Sequence, residues 1–300
     1  MRRYAIIEAP SVLGHVPSHL GVARMPEFLL GTGLAESLSA RRAGRVESPP
    51  YRRDRDPETQ VMNSRALRTY ATALANTVEA VLDNQEFPIV LGGDCSILLG
   101  TMLALKRRGR YGVLYIDGHP DFYQPEANPI DGAASASDLA FATGRGPGIV
   151  ADIEGRRPLV RDDDVVVFAY RDAAAQVRHR CQSLPLDLVA MDRGLVRRLG
   201  VDSAIAEAVA HLTREGGPSG FWIHVDVDVL DQSIMFAVDD PQPDGLSWTE
   251  LRTALRMAVE SNGAVGLQVT LYNPDMEADG ASGRGLAATL VKALGRGHGP

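Results

Sequence analysis

Short, nearly unbroken apolar runs recur along the chain and alternate with stretches whose apolar positions fall three and four residues apart. The runs are Tyr4–Glu8, Pro88–Leu91, Tyr111–Ile116, Val165–Tyr170, the segment opening at Phe221, and Val265–Leu271. They read as strands, several of them buried on both faces. Ser64–Asp83 places Leu67, Tyr70, Leu74, Val78 and Val81 on one helical face, with Ser64 as its cap. Further helices are expected from Pro26 to about Leu38, over Ile97–Arg108, near Ser137–Thr143, at about Asp172–Arg180 and Ser203–Arg214, and over Gly285–Leu294. Ser247-Trp248-Thr249-Glu250 has the spacing of a capping box and starts a helix to Glu260. Arg41–Asn63 is polar, carries Pro-Pro and mixes charges of both signs, so it reads as a solvated loop. No internal repeat and no linker divides the pattern. It predicts a single α/β domain over residues 1–300, a three-layer α/β/α sandwich around a mostly parallel sheet.

Composition narrows the functional classes. The chain has 300 residues, 45% of them hydrophobic, which is enough for a large core. A net charge of −7 and the lack of any Lys/Arg block argue against nucleic-acid binding. The apolar stretch after the basic N-terminus is broken by Glu8 and Pro10, unlike a signal peptide. No run approaches the roughly 18 apolar residues that span a bilayer. With only Cys95 and Cys181 and no disulfide framework, a soluble cytoplasmic protein is expected.

The chemistry-bearing residues gather where strands end, the place where open α/β sheets bind ligands. In Phe221–Asp228, residues two apart share a face, so Trp222, His224, Asp226 and Asp228 form one row. Two acids brought together at the end of a buried strand need a compensating cation, unless they are simply solvated. Tyr111–Ile116 runs into Asp117-Gly118-His119-Pro120-Asp121, three alternating donors. Pro88–Leu91 runs into Gly92-Gly93-Asp94-Cys95-Ser96, which read alone is a tight turn with a small buried thiol. Together the three strand ends hold one Cys, one His and four Asp, an inventory that suits two ions sharing carboxylates.

These motifs, in this order, with a Gly-Leu-Ser turn at Gly245–Ser247, resemble the ureohydrolases, the arginase and agmatinase family. Gly21-Val22, Arg171-Asp172 and Asn273-Pro274 extend the resemblance over nearly the whole chain. It implies an arginase-like fold and hydrolysis of a linear, non-peptide C–N bond in a guanidino- or amidino-type substrate. One ion would be held by Cys95, Asp121 and the bridging Asp117 and Asp226, the other by His119, Asp228 and the same bridges. The ions, usually manganese in such proteins, would make a shared water acidic enough to furnish hydroxide near neutral pH. Asp121 would carry a proton to the departing nitrogen. A homo-oligomer, trimer or hexamer, is also implied.

The departures are specific. Cys95 stands where the family has a His ligand, which opens the site to Zn, Fe or Ni and resembles the N-hydroxy-arginine-hydrolysing members. Leu271 occupies the place of the guanidinium-binding Glu, and Asp131-Gly132 the region of the proton-shuttling His. Substrate contacts are then expected from Phe122, Tyr123, Gln124, Glu126 and Asn128, and at Asp172 and Leu271. His224 is expected either to contact substrate or to brace a ligand from behind. His15, His179, His211 and His298 read as surface residues and Cys181 as structural. Two other readings keep the residues: a single-metal, deacetylase-like amidohydrolase and a non-catalytic, metal-stabilised family member.

Overall fold

In this computed structural model, residues 2–128 and 132–295 are described. Eight strands form one sheet: β1 (Tyr4–Ala9), β2 (Arg41–Arg45), β3 (Phe87–Gly92), β4 (Gly112–Ile116), β5 (Val165–Phe168), β6 (Val189–Met191), β7 (Phe221–Asp226) and β8 (Ala264–Thr270). Their order is β2-β1-β3-β8-β7-β4-β5-β6, and every pairing is parallel. A fully parallel sheet requires crossover segments on its faces, which is why the strands are apolar on both sides.

Those crossovers form two helical layers. On one face, α1 (Ser64–Asp83) and α2 (Leu98–Arg108) pack against Ile7, Val90, Val113, Val167 and Trp222. On the other, α3 (Val201–Leu212), α4 (Trp248–Glu260) and α5 (Ala281–Leu294) cover Ile89, Leu114, Phe168, Ile223, Val225 and Leu267. β7 shows the alternation: Phe221, Ile223 and Val225 enter one layer and Trp222 the other. The expected capping box is present, with Glu250 N–H donating to Ser247 Oγ (3.2 Å) and Ser247 N–H to Glu250 Oε2 (2.8 Å). Among the described residues, no helix is long and apolar enough to cross a membrane.

Three expectations are corrected. The segment read as a solvated loop contains β2, whose Arg-Arg-Ala-Gly-Arg has no apolar run to reveal it. That strand exists through backbone pairing with β1 and through Arg42, which donates to Glu8 at 2.6 Å. Its exposed arginines also blunt a sheet edge that would otherwise invite pairing. The three-residue edge strand β6 and the helix Arg193–Leu199 were likewise not foreseen. Ser64 does not cap α1: the preceding residue, Asn63, takes a left-handed φ of 54°, and Ser64 Oγ donates to Asp56 Oδ2 instead.

The strand order places the carboxyl ends of β3, β8, β7 and β4 side by side at the centre of the sheet. β3 and β4, consecutive in sequence, are separated there by two later strands, a topological switch of the kind at which α/β sheets open a crevice. Close packing supports it. The Trp222 indole lies over Gly266, where an added Cβ would stand 1.9 Å from the ring. Gly266→Ala should therefore force the indole from its place and cost about 1–3 kcal/mol as overpacking. Urea unfolding should show a lower midpoint with an unchanged slope.

Candidate metal centre

At the end of β3 the chain turns sharply around Asp94, which is fully buried. Its carboxylate accepts from Ser96 N–H (2.9 Å), Gly14 N–H (3.1 Å) and Ser11 Oγ (3.2 Å). That turn aims Cys95 at the end of β7, where its thiol donates to Asp226 Oδ2 at 2.5 Å. At the end of β4, Asp117 Oδ1 accepts from His119 N–H (2.7 Å) and Gly118 N–H donates to Asp228 Oδ1 (3.0 Å). A Cβ on residue 118 would meet Asp228 Oδ1 at 2.8 Å, so the β4 and β7 turns approach this closely only with glycine there. β7 itself stops at Asp226, and Asp228 follows in a 3₁₀ turn pinned by its N–H to Asp226 Oδ1 (2.8 Å).

Two donor clusters result. Cys95, Asp117, His224 and Asp226 present ligand atoms within 4.8 Å of one another, and so do Asp117, His119 and Asp228. Asp117 belongs to both. His119 Nδ1 lies 2.8 Å from Asp228 Oδ2, and its Nε2 lies 3.3 Å from Asp240 Oδ2. Asp121 lines the same cavity but stands in neither cluster; Tyr115 OH lies 2.7 Å from its Oδ2 and 2.8 Å from Asp138 Oδ1. One phenolic proton cannot serve two acceptors, so one of these carboxyls is protonated and donates in return.

The electrostatics follow from that crowding. Burial first, and then the charges of Asp226 and Asp228, hold Asp117 well above the ordinary carboxylate range. Asp226 is raised by burial and Asp228, Asp121 by burial and Asp117, and Asp138 by burial and Asp121. Burial and the charge of Asp226 push the Cys95 thiol up. Asp228 goes the other way: burial disfavours its charge, but the His119 cation outweighs that. The buried atoms Asp117 Oδ2 and His224 Nε2 make no hydrogen bond. Carboxylate oxygens, the His119 imidazole and the Cys95 thiol, crowded and partly unpaired, fit a pair of divalent cations.

His224 is fully buried and does not line the cavity, so the substrate contact considered for it is not what the geometry provides. Trp222 Nε1 (3.0 Å) and Thr101 Oγ1 (2.6 Å) both donate to Gln268 Oε1, which turns the amide nitrogen toward His224 Nδ1 at 2.7 Å. The imidazole proton therefore sits on Nε2, facing Asp117 Oδ2 at 3.6 Å. Burial lowers the pKa of His224 to about 3, so the ring is neutral. Tyr115 stacks on it at 4.2 Å. Sequence parity could have found this network, since Tyr115 and Gln268 stand two residues before Asp117 and Thr270.

The clusters open into a cavity of about 360 Å³ whose wall includes Tyr123, Asp172 and Leu271. It also includes His19, His179, Asp239 and Asp240, which the sequence reading did not assign to it. Among the described residues, six aspartates and no Lys or Arg line it. Gln124 faces away, donating to Arg180 C=O (2.9 Å) and accepting from Gln182 N–H (2.9 Å). Asn128 is also off the wall and donates to Ala133 C=O at 2.8 Å. Both brace loops rather than face a substrate. His15, expected at the surface, is 1% exposed. Asp131 and His298 lie outside the described residues.

Comparison with known proteins gives a consistent result. A family profile described as the arginase family matches residues 12–295. An arginase from Brevibacillus brevis is 27% identical over 74% of this chain and 73% of its own length, and one from Bacillus subtilis (strain 168) is 28% identical over the same shares. Among solved structures, arginase from Bacillus caldovelox superposes with a TM-score of 0.87 at 24% identity, covering all of both chains. Formimidoylglutamase from Bacillus subtilis superposes at 0.74 with 18% identity, over 98% of this chain and 86% of that one.

The crowding has a measurable sign. In chelator-treated protein, Asp226→Asn removes one of the mutually repelling acids, and the melting temperature should rise by about 2–4 °C per kcal/mol relieved. With manganese near 100 times its Kd, wild type should gain about 2.7 kcal/mol per site and overtake the variant. Calorimetry with and without metal that shows the same ranking in both states would contradict the assignment.

Proposed function

The chain belongs to the arginase family, and on that premise we propose that it hydrolyses a linear, non-peptide C–N bond in a small guanidino- or amidino-type substrate, an N-hydroxyguanidine being the favoured kind. The observation that carries this reading is the pair of donor clusters sharing Asp117 at the floor of an acidic cavity. Cys95, Asp117, Asp121 and Asp226 would hold one ion and His119, Asp228 and the shared acids the other, with Mn2+ the metal by likeness to the family and Zn, Fe or Ni admitted by the thiol. The ions, when bound, supply polarisation of the substrate carbon and a water acidic enough to attack it at neutral pH.

The protein's own groups do the rest. His224 directs its Nε2–H toward Asp117 Oδ2, 3.6 Å away, and places a neutral ring beside that shared acid. Asp121, raised by burial and by Asp117 and paired with Tyr115, holds a proton within the cavity for the departing nitrogen. Asp172 Oδ2 is buried without a hydrogen bond and faces the same space, an acceptor for a substrate N–H. Leu271, held at a left-handed φ of 80°, replaces a carboxylate with an apolar contact there. That exchange favours a neutral or hydroxylated head group over a plain guanidinium, whose charge would lack its partner. A homo-oligomeric assembly, trimer or hexamer, belongs to the same reading and is measured by light scattering.

Protein reconstituted separately with Mn, Zn, Fe and Ni should release urea, ammonia or an amine from at least one member of a panel of guanidines, hydroxyguanidines and amidines. Silence across that panel with two ions bound would overturn the reading. Asp226→Ala should lose metal and activity together. Cys95→His should keep or strengthen manganese binding, and Leu271→Glu should shift preference toward unmodified guanidines.

A further inference from the structure

A second group of donors stands at the mouth of the cavity, apart from the two deep clusters. His15, His19 and Asp239 present ligand atoms within 4.8 Å of one another and share none with the clusters below. We propose that these three residues form a separate binding site for a borderline divalent cation of the zinc type.

Burial supplies the first argument. The His15 side chain is only 1% exposed, yet neither of its ring nitrogens makes a hydrogen bond. Nε2 lies in contact with Asp239 Oδ2 but without hydrogen-bond alignment, and Asp239 Oδ1 is also unbonded. A buried imidazole with one nitrogen unpartnered and the other meeting a carboxylate out of hydrogen-bond alignment is costly and rare unless something is meant to sit beside it. His19 Nδ1 completes the group at 3.6 Å from Asp239 Oδ1.

The backbone holds the group in place without using those donor atoms. Tyr51 OH donates to His15 C=O (2.8 Å), Asn63 Nδ2 to Leu13 C=O (2.9 Å) and Ser135 N–H to Gly14 C=O (3.0 Å). Asp239 rides on the loop that Arg171 laces through Gln242 C=O (3.3 Å) and Pro243 C=O (3.1 Å). The donor chemistry selects the ion. Two imidazoles and one carboxylate suit zinc, cobalt or ferrous iron better than the oxygen-seeking magnesium or calcium. Three protein ligands leave coordination positions open, and because His19 and Asp239 line the cavity those positions face it. They suit an anionic group on a substrate bound above the deep clusters.

The test counts ions in the full-length chain, stripped by chelator and titrated with cobalt(II) as a spectroscopic probe. Wild type should bind one equivalent more than His15→Gln. In an Asp117→Ala background one equivalent should survive, and adding His15→Gln should remove it. His19→Ala, at a half-exposed position, gives the same readout should His15→Gln fail to fold. An unchanged count in the folded His15 or His19 variants, or no cobalt retained by Asp117→Ala, would overturn the site. Equal counts in wild type and Asp117→Ala would instead speak against the deep pair, leaving this site standing.

Discussion

Mutual repulsion among buried acids is the constraint on which this structure turns. Two unit charges about 4 Å apart at a protein-like dielectric repel by roughly 4 kcal/mol, and Asp117, Asp226 and Asp228 are all nearly or fully buried at adjoining strand ends. Among the described residues, no lysine or arginine side chain lines the cavity beside Asp226 and Asp228. Burial and mutual repulsion hold Asp117 and Asp226 above their ordinary range, whereas Asp228, beside His119, is held below it. Such an arrangement weakens the fold unless cations neutralise it, so it is intelligible as a receptor for them.

Support for that receptor is drawn from the core rather than from the surface. Trp222 and Thr101 fix the Gln268 amide, Gln268 fixes the His224 tautomer, and His224 faces Asp117. The links up to His224 are neutral hydrogen bonds, insensitive to pH near neutrality. The acids can then change protonation or bind ions while the frame that aims them stays put.

Sequence pattern made the sheet, its layering and the three motif turns legible, because strands buried on both faces must be apolar and their ends must then carry the polar chemistry. What it did not disclose was structure created by the backbone or by distance along the chain. β2 has no apolar signature, since its pairing with β1 is made by main-chain groups. Gln124 looked like a substrate contact from its place after the second motif, but its amide closes a bridge to the 180–182 segment that no local spacing announces. His15 and Asp239, separated by more than two hundred positions, meet only because β1 and the loop after β7 empty onto the same edge of the sheet. Asp121 was read as an ion ligand from its motif, and its placement against Tyr115 reflects a φ of 44° that the letters do not encode.

Arg171 has a consequence for how such a protein can diversify. Its guanidinium ties together the carbonyls of Asp228, Leu230, Gln242 and Pro243, so what it grips at both ends of the loop from 228 to 243 is main chain. Exposed side chains between those anchor points, such as Gln232, Phe236 and Pro241, can be exchanged without touching those bonds. Evolution can therefore rewrite the entrance of the pocket, and with it the choice of guest, while the floor keeps its shape.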